Sequence, residues 1–416
     1  MSRTLCRTAV LLTVLGFLIS AAVPRPATAQ QKPLRIGLLI PTSGVFAAPG
    51  KYMQEGLELY LNQHNNTLGG RKIEVVVADS QGNPAVGVTK IRELVEQEHV
   101  DLVYGPLSAA VGVAVVPYIN QHKVATIFPI VSADDLSQRT PSEYIARTGW
   151  TSSQPTQVLG DYAYKTLRYR KVATIAYDFN FGWESIAGFV ASFQADGGKI
   201  TKQIWTPLVT SDYSSFLSAI PTDVDAVMCS FSGAAAVNFI RQYRQFGLKP
   251  PLICQGNTTD ESTLQETGPS AVNIVTALQY SAALATPANR AFVAAYTKAY
   301  GHEPSYYGEA TYTGAQFLEQ GLIKSHGEIG DAAAFIKGVR SVVLPNAPRG
   351  PVKLDSYGTP VENIYIRNVT KQGDLLQNSV TKTYPNVTQF WTFDPKAFLA
   401  HPVYSRTYPP CNACSG

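Results

Sequence analysis

Two short segments place hydroxyl and backbone N–H donors where an anion could be held. Gly105-Pro106-Leu107-Ser108-Ala109-Ala110 leads from an apolar, strand-like triplet into a helical pattern. Ser108 therefore stands at the N-cap, and the N–H groups of Ala109 and Ala110 lie in the first turn, where no intrahelical partner exists. Such N–H groups and the helix dipole together attract a carboxylate. Ser108 could equally do no more than cap the helix. Pro129-Ile130-Val131-Ser132-Ala133 ends the next strand pattern and could present the Ser132 hydroxyl and a backbone carbonyl to the same place. In the second half of the chain, Phe179-Asn180-Phe181-Gly182, Phe231-Ser232-Gly233 and Gly256-Asn257-Thr258 also follow strand patterns. Aromatic rings in such loops suit the wall of a ligand cleft, although buried rings more often belong to a core.

Catalytic patterns fit less well. Gly44 to Lys51 follows a strand and opens a helix as a phosphate loop would, but five residues separate its glycines. Tyr52 replaces the magnesium-holding hydroxyl, and Pro49 removes an N–H from the cradle. No dinucleotide fingerprint follows the first strand, and His302-Glu303 is followed by Pro304 with no second histidine. No cofactor, metal or catalysis is expected. Cys229 and Cys254 sit in strand-like runs and read as buried thiols, with a bridge between neighbouring strands left open. Cys411 and Cys414 form a CxxC with Ser415 where haem attachment needs histidine, and two thiols fall short of a zinc site. A disulfide within a terminal tail is the expectation.

The elements that must position these residues alternate along the chain. Residues 34–40 are a continuous apolar run, as in a strand buried on both faces, and Met53, Leu57, Tyr60 and Leu61 recur at helical spacing. Strand 73–78, a helix with Val88, Ile91, Leu94 and Val95 on one face, strand 102–104, helix 109–121 and strand 124–128 continue the rhythm. It restarts after Trp150 and runs to strand 252–255. Helices dominate 288–341, before a strand-rich remainder. Two successive α/β units with parallel sheets and right-handed crossovers follow. In such sheets ligands bind beyond the carboxyl ends of the strands.

Composition narrows the class of protein. Lys plus Arg number 34 against 30 Asp plus Glu in 416 residues, a net charge of +4 with no dense basic run, so no nucleic-acid partner is expected. Arg3 and Arg7 precede an apolar run at 9–23, and Ala27-Thr28-Ala29 offers a small-x-small cleavage site. This reads as a secretory signal peptide cut after Ala29, since the run is shorter than the ~20 residues a span needs. Cleavage removes Arg3, Arg7 and Arg25 and no acid, leaving a nearly neutral, exported, soluble chain.

Several local patterns then join. Pro41-Thr42-Ser43-Gly44, Gly69-Gly70, Tyr104-Gly105-Pro106-Leu107-Ser108, Arg147-Thr148-Gly149 before Ser152-Ser153-Gln154, Asp212-Tyr213-Ser214, Phe246-Gly247-Leu248-Lys249 and Ala310-Thr311-Tyr312 resemble the Leu/Ile/Val-binding family. These are periplasmic substrate-binding proteins of ABC importers. The resemblance implies a type I periplasmic binding protein, α/β, with two Rossmann-like lobes joined by three crossovers near Trp150, Val275 and Gly350. It implies an N-terminal lobe of 30–149 and 276–350, a C-terminal lobe of 150–275 and 351–400, and a tail at 401–416 with the CxxC. Carried over by position, Phe46 falls in the first cleft loop. Ser108, Ala109, Ile130 and Ser132 fall where the family holds an amino acid's carboxylate and part of its ammonium. Phe181 matches an aromatic wall and Tyr307 lies near a further contact.

Two departures matter for the ligand. Ala109 stands where amino-acid binders often have a serine, and Asn257 where they place an acid against the ammonium. A desolvated ammonium needs an opposing charge; Glu309 could supply one but reads better as a helix-face or rim residue. The expected ligand is an aromatic or other small organic carboxylate, with a branched-chain or aromatic amino acid as the alternative. The expected partner is a membrane permease, which a monomeric, periplasmic protein would serve. An extracellular sensor is the reading from another class.

Overall fold

β1 (Leu34–Ile40) shows how the apolar run becomes a central strand. Its alternation sends Leu34, Ile36, Leu38 and Ile40 into one core with Met53 and Leu57 of α1 (Ala47–Gln63), while Leu39 enters the opposite core. Each such side chain contributes about 1.5–3 kcal/mol by leaving water. The computed structural model describes residues 32–414, so the expected signal peptide lies outside the described residues. Around β1 are β2 (Thr67–Leu68), β3 (Arg71–Asp79), α2 (Pro84–Arg92), β4 (Leu102–Tyr104), α3 (Ala109–His122), β5 (Thr126–Phe128), α4 (Asp135–Gln138) and β6 (Ile145–Arg147). The sheet order is β2-β3-β1-β4-β5-β6, with β1 parallel to both β3 and β4.

The second lobe repeats the scheme. It comprises α5 (Gln154–Lys165), β7 (Lys171–Tyr177), α6 (Asn180–Ala195), β8 (Lys199–Thr206), α7 (Ser214–Ser218), β9 (Ala226–Ser230), α8 (Gly233–Gln245), β10 (Leu252–Gln255), α9 (Glu261–Thr267) and β11 (Val275–Leu278). The chain then forms α10 (Pro287–Tyr300), α11 (Tyr306–Lys324) and α12 (Ala332–Arg340). α11 packs on α1 of the first lobe, where a Cβ on Gly56 would lie 2.0 Å from the Gly308 carbonyl oxygen. It ends with β12 (Val343–Ala347), β13 (Gly350–Leu354), β14 (Pro360–Gln372), β15 (Leu375–Val387) and α13 (Pro395–Ala400).

The second sheet runs β12-β13-β14-β11-β10-β9-β7-β8, with β15 on β14. β11 pairs with β10 and β14, so the chain leaves this sheet after Leu278 rather than at the expected crossover near Val275. β12, assigned to the first lobe by position, pairs with β13. Among the described residues no helix is long and apolar enough to cross a membrane.

The cysteines correct the sequence reading. Cys229 and Cys254 are register partners on parallel β9 and β10 and form a disulfide rather than remaining thiols. Their Cα atoms are 4.5 Å apart, a separation neighbouring strands supply without rearrangement. Cys411 and Cys414 are also bridged. The tail that carries them is docked: Asn412 accepts from the Ile200 N–H at 3.0 Å and donates to the Gly198 carbonyl at 2.9 Å.

Candidate functional site

The carboxyl ends of the strands converge on a narrow, closed cleft between the lobes. The first lobe contributes Phe46, Leu107, Ser108, Ala109, Ile130 and Ser132; the second contributes Phe179, Phe181, Ser232 and Asn257. Trp150, from the first crossover, and Tyr306 and Tyr307, from the N-terminus of α11, complete it. No Asp, Glu, Lys, Arg or His among the described residues lines this cleft. Among the described residues, no cluster of three His, Cys, Asp or Glu could hold a metal ion either.

The first-lobe wall is rich in donors. Ser108 occupies the N-cap of α3 with extended backbone, yet its hydroxyl makes no capping bond. The simple capping role is therefore not the one adopted, and Ser108 lines the cleft. The Ser132 hydroxyl lies 2.9 Å from that of Ser152, which also donates to the Ser132 carbonyl at 3.0 Å. Arg147, buried on β6, ties this loop down by donating to the carbonyls of Ala133 and Trp150. Burial lowers that guanidinium to about 10, against the pull of Asp134 and Glu184. Gly105 makes the turn possible: at φ +108° a Cβ would sit 2.1 Å from the Leu39 carbonyl oxygen.

The second-lobe wall is aromatic. Trp150 donates its indole N–H to the Ile130 carbonyl at 3.1 Å and meets Phe181 and Tyr306 edge-on, at 6.3 and 5.9 Å. Phe179 lies 6.2 Å from Phe181, and Tyr177 backs both. Asn257 donates through Nδ2 to the hydroxyls of Tyr306 (2.9 Å) and Tyr307 (3.3 Å). Burial raises both phenols far out of the physiological range, so they remain neutral and can donate. Arg367 holds the loop before Asn257 by donating to the Gly256 carbonyl at 2.7 Å.

The nearest carboxylates are engaged elsewhere. Asp260 caps α9 through the Ser262 N–H at 2.9 Å and accepts from the Tyr306 N–H at 3.2 Å. Burial, then Glu261, raise its carboxyl to about 7. Glu309 is not a rim residue: it is fully buried, and its carboxylate meets Arg349 at 2.8 Å.

Of the residues singled out from sequence, Phe46, Ser108, Ala109, Ile130, Ser132, Phe181, Asn257 and Tyr307 line the cleft. Val131 and Phe231 do not. Val131 alternates away from Ile130 and Ser132 into the core around α3, facing Gly112. Phe231 is fully buried behind the wall, between Tyr177, Tyr213 and Phe239. Sequence reasoning missed Trp150, which lies in the crossover between β6 and α5, and Tyr306, which opens α11 rather than following a strand. Ser232, next to Phe231, was within reach: it is the loop position just before the helix.

Residues 33–374 match the family described as periplasmic binding protein. The chain is 30% identical over 350 residues to "Leu/Ile/Val-binding protein homolog 6" of Brucella melitensis, covering 82% of this chain and 88% of that protein. A solute-binding protein of an ABC transporter from Rhodopseudomonas palustris BisB5, solved with 3,4-dihydroxybenzoic acid, superposes with a TM-score of 0.81 at 31% identity. That match covers 86% of this chain and 98% of that one. Another, from R. palustris and bound to benzoate, gives 0.80 at 28% identity over 85% and 98%.

Proposed function

The chain belongs to the periplasmic binding protein family, as a solute-binding protein of the ABC type, and from that premise we propose that its ligand is a small organic carboxylate, an aromatic acid first of all. The observation that carries this reading is the lining itself: hydroxyls, a helix N-terminus and aromatic rings, with no ionised side chain. The carboxylate would accept from Ser108, Ser132 and the first-turn N–H groups of α3. Hydrogen bonds to a charged group contribute about 1.5–3 kcal/mol each. The ring would lie between Trp150, Phe181 and Phe179, with the tyrosine hydroxyls able to meet a ring substituent. An α-ammonium would find no uncommitted carboxylate, which burial makes costly.

The two lobes would close on the ligand by rotation at the crossovers, and the closed form would dock on a membrane permease outside the cytoplasm. Ligand drives closure only through its higher affinity for the closed state. The protein acts as a monomeric carrier and performs no chemistry on its cargo.

A branched-chain or aromatic amino acid is the second reading, favoured by the relatives named Leu/Ile/Val-binding and by Asp260 directly behind the tyrosines. A thermal-shift panel of benzoate, 4-hydroxybenzoate, 3,4-dihydroxybenzoate, leucine, isoleucine, valine and phenylalanine separates the two. A ligand at about 100 times its dissociation constant adds about 2.7 kcal/mol. Stabilisation by the benzoates alone is expected; stabilisation by the amino acids alone overturns the carboxylate reading.

A further inference from the structure

A second cavity lies outside the cleft. It holds about 210 Å³ beneath the C-terminal segment 393–409, which lies beyond residue 374, where the family match ends. Its floor comes from both lobes, with Gln138 and Arg139 at the end of α4 and Ala191 on α6. The segment itself supplies an aromatic wall: Tyr404 meets Phe398 edge-on at 5.4 Å, and Tyr408 lies 6.4 Å beyond.

Charge decides what could sit there. Arg139 pairs with Asp135 at 3.1 Å and donates to the carbonyls of Phe398 (3.3 Å) and His401 (2.9 Å). Asp394 caps α13 by accepting from the Ala397 N–H at 2.8 Å. The strongest charges around the cavity are thus already answered by protein groups. Gln138 is different. Its Oε1 accepts from Arg139 at 3.1 Å, which fixes the amide, while its buried Nε2 has no hydrogen-bond partner. The residue is 6% exposed, and a buried donor without a partner is costly.

We propose that this cavity is a second small-molecule site, taking a neutral aromatic compound that carries a hydrogen-bond acceptor for Gln138. The aromatic wall stacks the ring, and the acceptor satisfies Nε2. The site stands apart from the cleft and does not depend on what the cleft binds.

Acetophenone, with one ring, one carbonyl and no charge, is the probe. Titration calorimetry on the exported chain should show saturable binding. Ala191→Phe, which fills the floor, should weaken it at least tenfold. Gln138→Leu, close in volume, should weaken it roughly two- to tenfold, the worth of one neutral hydrogen bond. Ser132→Ala, in the cleft, should leave it unchanged. Circular dichroism melting confirms that each variant folds; if Ala191→Phe does not, Gln138→Leu carries the test. No saturable binding, binding indifferent to both pocket variants, or binding lost in Ser132→Ala overturns the proposal.

Discussion

The hinge and the cleft are both buried and both polar, yet they handle charge in opposite ways. At the hinge, Arg349 in the β12–β13 turn bonds Glu309 of α11 (Nε to Oε2, 2.9 Å) and Glu362 of β14 (Nη1, 3.0 Å). It also donates to the Gly149 carbonyl on the first crossover at 3.2 Å. One guanidinium thereby joins a first-lobe helix, a second-lobe strand and two connecting segments. Burial alone would lower Arg349, but the two carboxylates facing it hold it protonated. The cleft, a short way along the same interface, contains donors and rings and no ionised group. Full charge is confined to where the protein supplies its own partner; the cleft leaves the charge to the ligand.

The sharpest way to break that contrast is to remove the hinge cation. Arg349→Met leaves Glu309 and Glu362 buried without a counter-ion, a defect that typically costs about 3–5 kcal/mol. The expected result is a large fall in the urea midpoint. Changing both acids to Gln alongside it should recover part of the loss, and an unchanged midpoint for Arg349→Met would deny the triad its structural role.

The converse experiment adds a charge to the cleft. Asn257→Asp places a carboxylate opposite the expected one, and like charges repel by about 4 kcal/mol at about 4 Å and an effective dielectric near 20, less as they separate. Benzoate affinity should fall by about two orders of magnitude. Affinity for leucine or phenylalanine should rise, because an ammonium would gain its partner. Equal losses for both classes would mean that Asn257 shapes the cleft without selecting charge.

These contrasts were unevenly legible in the sequence. The strand-to-helix loops announced themselves, because apolar runs such as 34–40 and 102–104 end in small polar residues that can only be turns. That placed Ser108, Ser132 and Phe181 correctly at the ends of strands. Val131 went astray within a correctly chosen loop, since side-chain direction depends on how the segment leaves the sheet, not on its composition. The hinge was illegible for a different reason. Glu309, Arg349 and Glu362 are brought together by the chain's third passage between lobes, and no local pattern distinguishes Glu309 from a solvated helix residue. Likewise the Cys229–Cys254 bridge needed the register of β9 against β10, which spacing alone does not fix.

Buried carboxyls make the next test one of pH. Burial raises Asp134 to about 6 and Asp260 to about 7, each from an ordinary value near 4. A native acid with a raised pKa holds a proton that the unfolded chain has lost, so stability falls as pH rises between the unfolded and native values. For one excess proton the slope is about 1.4 kcal/mol per pH unit, or about 2 kcal/mol between pH 5.5 and 7. Melting temperature should therefore be higher at pH 5.5 than at 7, and a flat or opposite profile would show these groups to be ionised at little cost. Asp260→Asn should flatten the upper part of the profile.

The mildest intervention tests closure without touching the ligand. Gly233, at the start of α8 in the second lobe, has φ +60°, and a Cβ there would lie 2.3 Å from the Val45 carbonyl oxygen of the first lobe. Gly233→Ala therefore carries two costs of different reach. The left-handed backbone disfavours any L-residue by about 1–2 kcal/mol whether the lobes are together or apart. The clash with Val45 exists only when they meet. Each 1.4 kcal/mol by which the closed form is raised reduces apparent affinity about tenfold, because binding must first populate that form. Benzoate affinity should fall by about that factor while the ligand-free melting temperature drops only by the backbone share. If affinity is unchanged, the Gly233–Val45 contact is not part of the ligand-bound state, and the wall formed by Ser232 and Asn257 must approach the first lobe along another path.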